Sequence, residues 1–269
     1  MTLPLEPRLR ALAAQELEQI GHEPRAPDDP VAELQRLESQ ARALFLMEER
    51  DIVEVQQLLA SHLRAWLALI RSDALTALWS GSDRPQAGEY LMVLCDLLIG
   101  GLLEAIAAND NAAVAEFRLR FLDREPPELE LSAATMILAR QLCFLSGREF
   151  ERAANEIESS WAEWVEFELV HPRDELWNGV RGIANNDADL VHASLRGLSS
   201  RRTSALRHAV ESGLMLRSTL PTRLTLQTDS SALVRLARMR GMEIPLETEE
   251  FLTRRATLLW RPGQTHTLK

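Results

Sequence analysis

Asp189 and His192 stand three residues apart in "DLVH", a spacing that puts a carboxylate and an imidazole on one face of a helix. Such a pair could hold a metal, and a di-iron bundle would use two Glu-x-x-His pairs with two further Glu. Only "DLVH" approximates one, with Asp for Glu, so a surface carboxylate beside a helix histidine is the simpler reading. His62 falls on an apolar stripe and His208 among polar and small residues; a lone helical histidine is more often structural than a ligand or base. Ser199, Ser200 and Ser204 have no base near them in sequence and read as loop and cap residues. "SSRR" (199–202) is a small basic patch without the interleaved aromatics of a nucleic-acid platform. Cys95 and Cys143 sit far apart in apolar helical patterns with no CxxC neighbour, which points to buried thiols. HExxH, GxSxG, GxxxxGK[ST] and GxGxxG are all absent. The expectation is a non-catalytic protein with no cofactor and no metal; were it an enzyme, Asp189, His192 and His208 would be the first candidates.

The stretch "REFERAANEIESSWAEWVEFELVHP" (148–172) carries a different chemistry. At 100° per residue, Phe150, Ala154, Ile157, Trp161 and Trp164 share one face, while Glu149, Glu151, Glu156, Glu158, Glu163 and Glu166 lie off it. Glu168 falls on the apolar side. One reading is a core helix with a solvated acidic face. The functional reading is a docking face for a basic partner, made of Glu151, Glu158, Trp161, Glu163, Trp164, Glu166 and Glu168, with tryptophan as interface anchor.

Charge supports that second reading. The net charge is −10 over 269 residues, unevenly spread. Residues 1–170 hold 15 Arg against 30 acids, giving −15; residues 171–269 hold 15 basic residues against 10 acids, giving +5. An acidic body disfavours nucleic acid and attracts basic proteins. The most apolar stretch, 90–108, contains Asp96 and Glu104 and reads as a core helix rather than a membrane span, and the first residues lack the pattern of a secretion signal. A cytoplasmic location follows as the expectation.

Elements must position these groups, and their pattern is helical throughout. Leu, Ala, Arg and Glu dominate, Gly and Pro number 12 each, and apolar residues recur at the 3.6-residue period. Leu9, Leu12, Ala13 and Leu17 mark a first helix, and Asp29-Pro30 and Asp51 start the next two. "IAANDNAAV" (106–114) and "IANNDADLV" (183–191) match at Ile, Ala, Asn, Asp and Val, 77 residues apart. Asn tolerates the left-handed conformation that ends a helix and Asp caps the following one, so Asn-Asp between apolar runs predicts a tight helix–helix corner. Gly147 predicts a third corner, 38 residues after Asn109 and 39 before Asn186, and 47–55 a degenerate fourth. Recurrence at this period predicts an all-α fold of stacked antiparallel helical hairpins, a TPR-like array whose relatives repeat at about 34–47 residues. The expected organisation is an N-terminal helix and linker (1–28), one array (29–260) and a frayed tail (261–269). Within it, "TRLTLQTD" (222–229) reads as a short extended link, followed by a helix capped by Asp229 and stopped by Gly241, with Met242 and Ile244 folding back.

"ELWNGVRGIANNDADLVHASLRGL" (175–198) resembles the small-residue helix, polar-Asp corner and helix of the Immunity protein 49 family of bacterial polymorphic-toxin systems. "SALVRLARMRGMEIPLETEEFL" (231–252) is similar to that family's ending, and the likeness covers about residues 95–260. The resemblance implies a cytosolic helical protein that binds and neutralises a cognate toxin, without a catalytic residue to carry over. A basic toxin would suit the acidic body. The alternative is a TPR-like adaptor or regulator that holds a peptide or protein partner in a concave groove.

Overall fold

The apolar period produces helices, and among the described residues every regular element is one; no strand occurs. The computed structural model describes residues 6–22, 30–47, 52–71, 99–122, 130–168, 174–214, 216, 222–244, 256 and 259–260. The helices are α1 (Glu6–His22), α2 (Pro30–Leu46), α3 (Ile52–Arg71), α4 (99–108), α5 (Asn111–Leu122), α6 (Glu130–Ser146), α7 (Phe150–Glu168), α8 (Asp174–Ala184), α9 (Ala188–Ser212), α10 (Thr222–Leu226) and α11 (Thr228–Met239). None of them is long and apolar enough to cross a membrane.

Three of the joints are the same object. Asn109, Arg148 and Asn186 have φ of 62°, 61° and 58°, and each is followed by an acid. The N–H of that acid donates back to a carbonyl five residues earlier: Asp110 to Ala105 at 3.0 Å, Glu149 to Phe144 at 2.9 Å, Asp187 to Gly182 at 2.7 Å. The left-handed residue donates three back, to Ile106, Leu145 and Ile183. This nested pair satisfies the end of one helix. The acid's own carbonyl then accepts the first bond of the next helix, from Val114, Ala153 or Val191. At two corners the side chain also caps, Asp110 Oδ1 accepting from Ala113 N–H at 2.9 Å and Asp187 Oδ1 from Leu190 N–H at 3.0 Å.

The third corner departs by one residue from the sequence expectation. Arg148, not Gly147, takes the left-handed conformation. Glycine stands at 147 for closeness instead: a Cβ there would overlap the Arg118 guanidinium, which crosses from α5 to bond the Cys143 carbonyl. The left-handed residues are thus 39 and 38 apart. The middle of the fourth expected corner, residues 48–51 of 47–55, lies outside the described residues.

Neighbouring helices along the chain pack in turn, α1 on α2, α2 on α3, α3 on α5, and so on through α5, α6, α7, α8 and α9. Beyond that sequence, α8 also touches α6 and α11, while α1 meets α9 and α2 meets α10. Two apolar clusters result. The larger gathers Trp66, Phe117, Phe144, Trp177 and Leu233 from α3, α5, α6, α8 and α11. The smaller joins Leu9 and Ala13 of α1, Phe45 of α2 and Val55 of α3 to Leu206 and Ala209 of α9. The long helices α2, α3 and α9 feed both.

Three local readings need correction. Residues 222–226 form α10, not an extended link: Thr222, Thr225 and Leu226 bury one helical face, and the alternation of Thr and Leu only mimics a strand. Asp229 does not cap α11, because Gln227 at φ 55° turns the chain two residues earlier and leaves Asp229 buried in the first turn. Ser199, Ser200 and Ser204 are not in a loop; α9 runs unbroken for 25 residues through them. The hydroxyl of Thr203 donates to the Ser199 carbonyl four residues back, so this polar group is satisfied within the helix. The end of α11 is as its sequence indicates, with Gly241 at φ 88° and Met242 and Ile244 buried.

Arg148 carries the left-handed strain that Asn or Gly would relieve. Arg148→Gly is expected to raise unfolding stability by about 0.5–1 kcal/mol, and Asp187→Ala to lower it by about 1 kcal/mol, both read from urea denaturation midpoints.

Candidate functional site

The acidic helix α7 sits between α6 and α8. Ala153 and Ile157 are buried, and Phe150 and Ala154 are half-buried. Of the acids expected on the open face, two are drawn inward. Glu149 pairs with Arg118 of α5 and with Arg152 at 3.1 Å. Arg118 first, then Arg152, holds the Glu149 carboxyl below the usual carboxylate range. Glu156 pairs with Arg140 of α6 at 2.7 Å and accepts from Gln141 at 3.2 Å. Glu151 and Glu158 remain exposed. The backbone of Trp161, Glu163, Trp164, Glu166 and Glu168 belongs to α7, and their side chains lie outside the described ones. The cations stack as well, Arg152 over Phe144 at 4.4 Å and Arg240 over Phe150 at 4.5 Å, which anchors α7 to α6 and to the end of α11.

The candidate catalytic residues do not converge. Asp189 is exposed in the first turn of α9 and His192 is half-buried one turn on. His208 is exposed 16 residues further along the same helix, about 24 Å away at 1.5 Å per residue. Among the described residues, no group of three His, Cys, Asp or Glu is placed to hold a metal ion.

The chemistry that the sequence reading missed lies inside. His62 Nδ1 is 2.8 Å from Glu104 Oε2, linking α3 to α4, with the two side chains 4% and 7% exposed. Trp66 meets the imidazole edge-on, with centroids 6.4 Å apart. Gly101 lets α4 come this close, because a Cβ there would press on Trp66 and Phe117 at 2.8 and 2.9 Å. Glu104 appeared in sequence only as a charge interrupting an apolar run; a histidine and a glutamate each alone on an apolar stripe was the available signal. Burial opposes the imidazolium, but the Glu104 charge and hydrogen bond, with Glu38, outweigh it and hold His62 above its ordinary 6.5. Burial, with Glu38 added, also keeps Glu104 above the usual carboxylate range despite His62. Glu104 fixes which imidazole nitrogen carries the proton, an arrangement that prepares a base or ligand elsewhere. Here the pair is closed off from solvent and acts as a lock between helices.

A second buried pair joins the first two helices to α10. Arg42 of α2 bonds Glu16 of α1 and donates to the Thr222 hydroxyl of α10 at 3.0 Å. Gln56 reaches the Leu259 carbonyl at 3.1 Å, and the Trp260 indole donates to the Leu226 carbonyl at 2.8 Å. Cys143 is buried, and burial pushes its thiol up to about 12; Cys95 lies outside the described residues.

Compared with family models, curated proteins and solved structures, the chain matches none of them.

Two outcomes follow from this geometry. Glu104→Ala leaves His62 buried without its anion and is expected to cost about 3–5 kcal/mol, whereas the double change His62→Leu with Glu104→Leu recovers most of it; a double-mutant cycle in denaturant reads both. Both groups of the pair bind protons more tightly when folded. The His62 contribution is complete below its unfolded value of about 6.5 and is lost as pH rises through its higher folded value. The Glu104 contribution is complete only below the unfolded carboxylate value of 4.5 and is lost through its own raised folded value. Melting temperature should therefore fall more between about pH 6 and about pH 9 in the wild type than in the double Leu variant. The Cys143 thiol, in a Cys95→Ser background, should resist iodoacetamide at about pH 8 until the protein is unfolded.

Proposed function

We propose that this chain is a non-catalytic binding protein that captures a basic protein partner on the exposed acids of α7. A bacterial toxin neutralised in the cytoplasm is the partner that the resemblance to the Immunity protein 49 family implies. The observation that carries the reading is the way α7 is held. Arg118 and Arg140 tie Glu149 and Glu156 to the neighbouring helices, so Glu151 and Glu158 project from a fixed element. Acids on a rigid helix present a preorganised field, and the −10 charge of the whole chain adds long-range attraction for a cationic protein.

The repeated corner supports a TPR-like stack of hairpins, and with it an adaptor that grips an extended peptide in a groove. The contacts of α1 with α9 and of α2 with α10 weigh against that alternative. A groove-lined array keeps its first helices away from later ones, whereas here α1 and α2 touch α9 and α10. Capture of a folded domain on the outer surface suits this arrangement better than a peptide in an open channel.

The test is functional and electrostatic. Co-expression with the product of the adjacent gene should restore growth to a test bacterium which that product alone inhibits. Glu151→Lys with Glu158→Lys should then slow association by about tenfold or more at low salt and flatten its salt dependence, measured by surface plasmon resonance. A harmless neighbour, or an unchanged association rate, rejects the reading.

A further inference from the structure

A pocket of about 370 Å³ lies between α1 and α2, within the range of small-molecule sites. Glu16 and Ile20 face it from α1; Ala32, Arg36, Glu38 and Arg42 face it from α2. Glu16 and Ile20, Ala32 and Arg36, and Glu38 and Arg42 are each four residues apart, the spacing of neighbours on a helix face. Both cations are already engaged. Arg36 forks onto Glu33 at 2.7 and 2.6 Å and donates to Gln40 at 3.2 Å. Arg42 holds Glu16, and also donates to Ser39 at 3.3 Å and to Thr222.

The match is incomplete at the atoms on both sides, Arg42 Nε being buried without an acceptor, but only the acids leave charge unbalanced. Glu16 spends one oxygen on Arg42; its side chain is only 2% exposed, and Oε2 has no hydrogen-bond donor. Leaving a buried carboxylate oxygen without a donor is costly, so the site favours a ligand that supplies one. Glu38 is half-buried on the same wall, with no ion pair among the described residues, and its charge is felt as far as His62 and Glu104. Counting Glu33 with the lining charges leaves one net negative charge beside the cavity. Ile20 and Ala32 add apolar surface for a short methylene chain.

We propose that the α1–α2 pocket binds a guanidinium or ammonium group on an aliphatic stem, its head donating to Glu38 and to Glu16 Oε2. Two carboxylates answer several N–H donors, whereas an anion would meet arginines that are already neutralised. The chemistry is shared by a free amine and by an arginine or lysine side chain of another protein. The site is separate from the α7 face and does not depend on it.

Isothermal titration calorimetry on the full chain separates the possibilities, using agmatine, putrescine, an acetylated and amidated Gly-Arg-Gly peptide, and inorganic phosphate as probes. Glu38→Gln is the test variant because Glu38 is only half-buried and has no ion pair among the described residues; Asp189→Asn, an exposed acid on α9, is the control. Agmatine or putrescine should bind the wild type and the control alike and bind Glu38→Gln on the order of tenfold more weakly. Binding of the peptide alone, with the same dependence on Glu38, keeps the proposed chemistry and assigns its source to a protein side chain. Equal binding to Glu38→Gln, binding of phosphate in place of the cations, or no heat with any cationic probe overturns the proposal.

Discussion

A helix cannot stop without finding donors for its last carbonyls, and the rest of this structure depends on how that requirement is met three times. At each corner a left-handed residue reverses the chain within one peptide, and the acid after it closes the finished helix with its N–H. The same acid opens the next helix with its carbonyl. Only two or three residues separate the helices, so α4 and α5, α6 and α7, and α8 and α9 leave each joint with closely related backbone hydrogen bonds. Helices delivered in this way present their apolar faces to the next pair, and the larger core runs through all three joints.

Polar groups then decide which surfaces close. His62 with Glu104, and Arg42 with Glu16 and Thr222, join segments far apart in sequence inside surroundings that penalise an unpaired charge heavily. Such pairs add little net stability over a well-packed apolar core, but they disfavour any packing that separates the partners. The Arg42 contacts bring the first two helices to α10, and this closure also shapes the pocket between α1 and α2. A device that selects one arrangement of helices thereby leaves a carboxylate oxygen waiting for a donor beside a cavity.

On the outer surface the same economy reduces a broad acidic stripe to a smaller one. Of the acids along the first half of α7, those nearest the neighbouring helices become cross-links, and those left outward set the field met by an approaching protein. Binding by a preorganised patch of this kind depends on rate and register more than on area.

Sequence alone determined the helical class, the two Asn-Asp corners and the glycine stop of α11, because each rests on local rules: an apolar period, a tolerated left-handed residue, a cap. It misplaced the third corner by one residue, since Gly147 answers to Arg118, 29 positions away, and not to its own backbone. It read 222–229 as extended, because burial against α2 and α9 makes a helix of a stretch whose Thr-Leu alternation suits a strand. The His62–Glu104 pair, the arginine ties on α7 and the α1–α2 pocket were decided only by the tertiary structure. Each joins residues from different helices, and no spacing along one chain segment records which charge will be buried beside which.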